Sequence, residues 1–185
     1  MAKDNTISYI ILGLLMHEDM TGYDIKKRID SNISYFWSAG FGQIYPTLKV
    51  LVNEGFVSKK SEAGIHGNER IIYSITQDGR NKLVKWLTAP AEKEYVKYEI
   101  LLKLFFGKLL PIDESIRKID EFRKKYEKNL AHMDNFEASL INAPSQEEDH
   151  FYYLLTVLFG KHVYKAYVSW ADEAVKLLNN HKERS

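Results

Sequence analysis

The stretch between Gly40 and Phe56 holds the side chains best suited to contacting another molecule. If it turns by about 100° per residue, as a helix does, one face opposite its apolar side collects Gly42, Pro46, Lys49, Val50 and Asn53, flanked by Gln43 and Tyr45. Amide, phenol and ammonium groups hydrogen-bond to base edges and phosphate oxygens. No carboxylate occurs before Glu54. The face therefore suits a DNA groove, although this segment alone fits an ordinary amphipathic surface helix better.

An apolar stripe and a glycine predict how this helix is held and where it ends. The stripe recurs at helical spacing and consists of Ile44, Leu48, Leu51 and Val52. Gly55 reaches the left-handed conformation that ends a helix at little cost. Pro46 is tolerated if the helix begins near Gly42, because its missing N–H then lies at the end of the first turn. An earlier start predicts a kink.

Two further helices are predicted before this one, and together they indicate a helix-turn-helix. The first spans residues 6–17 and is apolar over a wide face. The second begins at a capping box made by Thr21 and Asp24. For the cations on its outer face, solvation and contact with phosphates are both open interpretations; they are Lys26, Lys27 and Arg28.

After Gly55 the apolar period changes from helical to alternating, which predicts a two-stranded hairpin. The strands cover residues 56–62 and 70–75, with two glycines and an asparagine in the turn between them. A hairpin in this position is a wing, and its cations and tip residues suit a minor groove. These residues are Lys59, His66, Asn68 and Arg70. The alternative is a plain solvent-exposed hairpin.

The second half of the chain is predicted to be entirely helical. A helix capped by Thr76 ends before Ala89-Pro90-Ala91, which predicts a winged-helix domain over residues 1–88 and a second domain over 89–185. Two long helices joined by a tight Pro turn form an antiparallel hairpin. Such a hairpin leaves an apolar face uncovered, which predicts pairing with a second copy. The predicted fold class is therefore mainly α.

Composition and motifs exclude several functions. The 185 residues contain no Cys, which excludes a disulfide scaffold, a thiolate zinc site and a cysteine nucleophile, and suits a reducing cytoplasm. The apolar run from Ile7 to Met16 is too short to span a bilayer. No phosphate loop or nucleophile elbow occurs, and no His pair has the spacing of a metal site. We predict no enzyme activity, no cofactor, no metal and no membrane partner.

Four motifs in a fixed order carry a family resemblance. They are ILGLL at 11–15, GYDI at 22–25, GQIYPTLKVLVNEGFV at 42–57, and YSIT at 73–76 with Gly79. As an ordered set they resemble the PadR family of bacterial transcriptional regulators, over roughly the first half of the chain. SYFWSAGFGQIY, combined with the long helical tail, is similar to the subgroup with a virulence-activator-like C-terminal domain.

The resemblance implies a winged helix followed by a helical dimerisation domain. It also implies that the helix at 42–53 enters the major groove and that the turn at 64–68 approaches the minor groove. We hypothesise that the chain is a homodimeric repressor that binds double-stranded operator DNA. Gln43 is expected to read a base, with adenine as the best match. The expected phosphate contacts are Tyr23, Lys26, Tyr45 and Lys49.

Two alternatives stay open. By family analogy an aromatic small-molecule effector occupies a dimer cavity lined by Tyr164, Tyr167 and Trp170, whereas an aromatic stripe at helical spacing is more often core and interface packing than a pocket. The rival function is a protein-interaction winged-helix dimer without a DNA partner. It draws support from the weak charge of residues 1–88, which hold 11 Lys and Arg against 9 Asp and Glu.

Overall fold

The computed structural model describes residues 6–34, 36–63, 69–91, 98–142 and 148–184. The chain forms two compact units, Met1–Lys93 and Glu94–Ser185. The domain boundary between residues 88 and 89 stays a prediction, since residues 92–97 lie outside the described part of the chain.

Within its described residues, the first unit contains four α-helices and a small sheet. In chain order its elements are α1 (Thr6–Leu14), β1 (Met20–Thr21), α2 (Gly22–Arg28) with a π-helical extension (Ile29–Ile33), α3 (Phe41–Asn53), β2 (Val57–Ala63), β3 (Glu69–Ile75) and α4 (Gln77–Leu87). The predicted winged helix is confirmed.

The core of this unit forms where α3 packs on α1 and α2. The predicted stripe of α3 packs into the core: Ile44 and Leu48 are completely inaccessible to solvent, and Val52 at its end is partly buried. The first two meet Ile11 of α1 and Ile25 of α2, which are equally inaccessible. The helix therefore offers only its other face to solvent.

Helix α3 ends as its sequence predicts. Gly55 adopts a φ of +78°, a left-handed conformation in which a side chain would be strained. The Phe56 N–H donates to the Leu51 carbonyl at 2.9 Å, and the Gly55 N–H donates to the Val52 carbonyl at 3.1 Å. These two bonds satisfy carbonyls that a helix end otherwise leaves unpaired.

Helix α3 begins slightly earlier than the start at Gly42 that would place Pro46 at the end of the first turn. The helix begins at Phe41, so Pro46 is its sixth residue and lies beyond the first turn. Pro46 supplies no N–H to the Gly42 carbonyl.

The sheet has a third strand that the sequence analysis missed. Its strand order is β1-β3-β2, with Met20 opposite Tyr73 and Lys59 opposite Tyr73 on the other side. A strand of two residues has no period to detect.

The second unit is a long helical hairpin with a short helix before it. Its elements are α5 (Glu99–Phe105), a 3₁₀ turn (Gly107–Leu109), α6 (Ile112–Ile141) and α7 (Glu148–Lys182). The helices are antiparallel, because ion pairs join Lys182 to Asp113 at 2.6 Å and Arg123 to Asp172 at 2.7 Å. Met133 and Val157 are each 2% exposed between them. The mainly α fold class and the hairpin are confirmed.

We expect Leu48→Ala to lower the free energy of unfolding by about 2–5 kcal/mol, because it leaves a cavity in a fully packed site. Urea unfolding followed by circular dichroism measures this change. Leu87→Ala is the matched control, since Leu87 is 64% exposed in the same unit. Equal losses in the two variants would contradict the assignment of Leu48 to the core.

Candidate nucleic-acid interface

The exposed face of α3 is built from small, polar and cationic residues. Gly42, Gln43, Tyr45, Pro46 and Lys49 are all exposed, as the helical spacing predicts. A Cβ added at Gly42 would meet no atom within 4 Å, so this end of the helix has open space in front of it. The face is free of carboxylates throughout Phe41–Asn53.

Gln43 is already engaged within the helix. Its Oε1 accepts a hydrogen bond from the Gly40 N–H at 3.2 Å, which satisfies one of the unpaired donors of the helix start. The bond uses the side-chain oxygen, and the amide nitrogen is the donor left for another acceptor. A two-point contact with adenine needs both atoms. Because Oε1 has a second lone pair, it can accept a hydrogen bond from the adenine amino group while the capping bond orients the side chain.

Tyr45 projects from α3 towards α2 and β3. Its ring packs against the Phe41 ring with centroids 5.9 Å apart. The Lys26 ammonium lies 5.7 Å from the centroid of Phe41 and also pairs with the Asp30 carboxylate. Lys26 is therefore held against its own unit before any phosphate approaches.

A groove of about 480 Å³ opens beside Tyr45. It brings together Tyr23, Tyr45 and Arg70, three of the residues singled out from the sequence. The remaining lining residues are Thr21, Gly22, Ile71 and Tyr73. Tyr23 is 63% exposed and Tyr45 is 48% exposed, so both hydroxyl-bearing rings are accessible. Burial raises the pKa of Tyr73, and the nearby Tyr45 adds to this effect.

Asp24 links the start of α2 to the wing. The Thr21 hydroxyl donates to its carboxylate at 2.6 Å, and the Thr21 N–H donates to the same oxygen at 3.2 Å. The Arg70 guanidinium lies 3.7 Å from that oxygen. These bonds from Thr21, and secondarily the charge of Arg70, lower the pKa of Asp24. The capping box confirms the sequence prediction, whereas the pairing with Arg70 was missed because it depends on the undetected strand β1.

The wing is described only in part. Lys59 is exposed on β2, and Arg70 is exposed at the start of β3. His66 and Asn68, the predicted tip residues, lie outside the described residues. The neighbouring Lys60 pairs with Glu62 at 3.0 Å.

A cluster of aromatic rings fills the second unit between α6 and α7. Tyr126 packs on Tyr164 and Tyr167, with centroids 5.2 and 4.7 Å away, and Phe122 meets Trp170 edge-on at 5.5 Å. The hydroxyls of Tyr98 and Tyr167 share a hydrogen bond. Burial, and then this bond, raise the pKa of Tyr167. The sequence singled out Tyr164, Tyr167 and Trp170 but not the three rings from outside α7.

Comparison with known proteins matches both halves of the chain to families. Residues 11–85 match the transcriptional regulator PadR-like family, and residues 96–179 match the virulence activator alpha C-terminal family. The negative transcriptional regulator PadR of Bacillus subtilis (strain 168) is 30% identical over 183 residues, covering 94% of this chain and 97% of that protein.

This chain belongs to the PadR-like family of transcriptional regulators.

Solved PadR-like structures agree with the fold. A crystal structure of Bacillus subtilis PadR with operator DNA superposes with a TM-score of 0.80 at 29% identity, covering 94% of this chain and 99% of that one. A crystal structure of the same regulator with p-coumaric acid superposes with a TM-score of 0.76 at 29% identity, covering 95% of this chain and 99% of that one. The structure of the Vibrio cholerae virulence activator AphA superposes with a TM-score of 0.73 at 29% identity, covering 95% of this chain and 99% of that one. The predicted family and subgroup are confirmed.

Within the part of this PadR-like chain that the structure describes, no group of three or more His, Cys, Asp or Glu is arranged to hold a metal. None of the described helices is long and apolar enough to cross a membrane.

Asp24→Asn tests the electrostatic part of the α2 cap. Because the pKa of Asp24 is lowered in the folded protein, its carboxylate stabilises the fold above the unfolded pKa of about 3.9. That stabilisation is lost as the pH falls through the lowered pKa that Asp24 has in the folded protein. The difference in unfolding free energy between wild type and variant should therefore be present at neutral pH and disappear in acid. Asp19→Asn controls for loss of an exposed carboxylate that does not cap α2; a difference constant with pH would refute the assignment.

Proposed function

We propose that the chain is a homodimeric cytoplasmic repressor that binds double-stranded operator DNA and is released by an aromatic small molecule. The observation that carries the proposal is the exposed face of α3, which is polar, cationic and free of carboxylates while the opposite face is buried. The proposal assigns no catalytic activity to the chain, in line with its family of regulators.

Each side chain of this face has a role in the proposal. Gln43 reads a base edge near the start of α3, where a recognition helix meets the major groove. Gly42 and Pro46 have no long side chain, so the backbone of α3 approaches the DNA closely. Lys49, Tyr45 and Tyr23 bind phosphates, and Lys59, His66 and Asn68 serve the wing.

Lys26 and Arg70 bind phosphates only by exchanging partners. Lys26 leaves Asp30 and Arg70 leaves Asp24 when a phosphate oxygen takes the place of the carboxylate. Both pairs are solvent-accessible, and exposed pairs of this kind contribute little to stability. The exchange therefore costs little, and the phosphate contact also releases bound counterions.

Exposed apolar residues in the second unit support a homodimer. Phe105 is 83% exposed and Leu109 is 84% exposed, next to the half-exposed Leu102 and Phe106. Tyr152 and Phe159, near the start of α7, are 65% and 69% exposed. Apolar surfaces of this kind mark association sites. A second copy would cover them by two-fold symmetry and present two α3 helices to a symmetric operator.

The effector part of the proposal is supported by the relative that has been crystallised with p-coumaric acid. Tyr164, Tyr167 and Trp170 supply aromatic faces and two phenol groups that suit a ligand of this class. The Tyr164 and Tyr167 rings pair with centroids 6.2 Å apart, Trp170 meets Phe122, and Tyr164 is only 7% exposed. A ligand must therefore part the rings, and this movement is the proposed origin of the change that releases DNA.

Gln43→Ala and Lys49→Ala separate base reading from phosphate binding. We expect Gln43→Ala to cost about 1–3 kcal/mol on the preferred sequence and to relax selectivity at one base pair. Lys49→Ala should weaken all sequences alike and reduce the salt dependence by about one phosphate contact. Gel shifts across a salt series, on sites selected from random DNA, measure both effects. Lys128→Ala removes an exposed cation from α6 and is the control for lost charge. Absence of sequence-preferring binding at moderate salt would refute the proposal and favour the protein-interaction alternative.

Trp170→Ala tests the effector site. The variant should need about tenfold more p-coumaric acid for half-release of DNA, as expected when one aromatic contact with the ligand is removed. Its affinity for DNA without the effector should stay unchanged. Leu177→Ala, an exposed apolar change on the same helix, is the control. If Trp170→Ala responds like wild type, the aromatic cluster serves packing alone.

A further inference from the structure

Gly22, the first residue of α2, lies against the ring of Tyr45. A Cβ added at Gly22 would lie 2.6 Å from Cε1, 2.9 Å from Cζ and 3.2 Å from the hydroxyl oxygen of Tyr45. Its three nearest atoms are therefore all at the outer end of one side chain. Carbon atoms do not approach to such distances, so any side chain at residue 22 would displace the phenol.

The backbone does not explain the glycine. Gly55 is the one residue with a positive φ in the part of the chain that the structure describes, so Gly22 adopts a conformation open to other residues. Gly22 follows the cap residue Thr21, and Ala is a better helix former than Gly at such a position. Helix propensity alone predicts that Gly22→Ala stabilises the protein.

The Tyr45 ring is packed on one side and borders the open groove on another, so a side chain at residue 22 would push the phenol out of its present position. Phe41 packs against it from the same helix, with ring centroids 5.9 Å apart, and Lys26 lies over Phe41. The bare backbone at Gly22 and the Phe41 ring together fix where the Tyr45 hydroxyl stands. That hydroxyl borders the groove that also holds Tyr23 and Arg70.

We propose that Gly22 is a positioning residue for DNA binding: its missing side chain seats the Tyr45 phenol at the point where the hydroxyl meets an operator phosphate. The inference rests on the proposed function, because it assigns Tyr45 to the DNA. It adds a residue of α2 that contacts no DNA itself and acts through α3. The contact also couples the two helices of the helix-turn-helix at the surface, outside their apolar core.

A double-mutant cycle with Gly22→Ala and Tyr45→Ala tests the proposal. Gly22→Ala should weaken operator binding about tenfold, the loss expected for one hydrogen bond to a charged group. In the Tyr45→Ala background the same change should have no further effect, since no ring is left to displace. Equal losses in both backgrounds would overturn the proposal. Gly13→Ala is the control, because a Cβ there meets nothing within 4 Å.

A second readout does not depend on DNA. The ¹⁹F spectrum of the full chain labelled with 3-fluorotyrosine reports the ring environment, and Tyr45→Phe assigns the Tyr45 signal. Gly22→Ala should shift that signal and Gly13→Ala should leave it in place; an unmoved signal in Gly22→Ala overturns the inference. If wild type binds no operator while the signal shifts, the proposed function fails but the contact stands. If the Gly22→Ala variant does not fold, restoration of folding in the Gly22→Ala, Tyr45→Ala double variant supports the contact. If the double variant also fails to fold, the proposal is overturned.

Discussion

The burial of one face of α3 is the constraint on which the first unit depends. Ile44 and Leu48 are inaccessible to solvent against α1 and α2, and a helix that buries this stripe has no freedom to rotate. The exposed positions of Gln43, Tyr45 and Lys49 follow from that packing. The surface that we propose for DNA binding is thus fixed by buried side chains that are not part of it. Gly55 adds a sharp end to the helix, from which the chain turns directly into the first strand of the wing.

The same surface is held in place by weak internal bonds before any ligand arrives. Gln43 caps its own helix, Lys26 pairs with Asp30, and Arg70 lies beside Asp24. Each of these groups has the chemistry to bind DNA, and in the proposed function Lys26 and Arg70 exchange an internal partner for a phosphate. Because the bonds are solvent-accessible, the exchange is inexpensive, yet it restricts the side chains beforehand. Such restriction lowers the conformational entropy that binding must otherwise overcome.

Periodic features of the sequence were sufficient to predict the architecture, and features without a period were not. The stripe of α3, the alternation of β2 and β3 and the long helices α6 and α7 all follow from the spacing of apolar residues. Strand β1 has only two residues, so no pattern marks it. The contacts between Asp24 and Arg70 and between Gly22 and Tyr45 join distant parts of the chain. They depend on a tertiary packing that one sequence does not specify locally.

Strand β1 also bears on the argument from net charge. Pairing of Met20 and Thr21 with β3 brings the start of α2 to the base of the wing, where Arg70 meets Asp24. Part of the positive charge of residues 1–88 is therefore neutralised beside α3, while the carboxylate-free face of α3 keeps Lys49 exposed. The net charge of a domain sums over such local arrangements and does not show where the charges lie. Electrostatic attraction to a phosphate acts over about 8–10 Å at physiological salt, so the local placement of charge outweighs the sum.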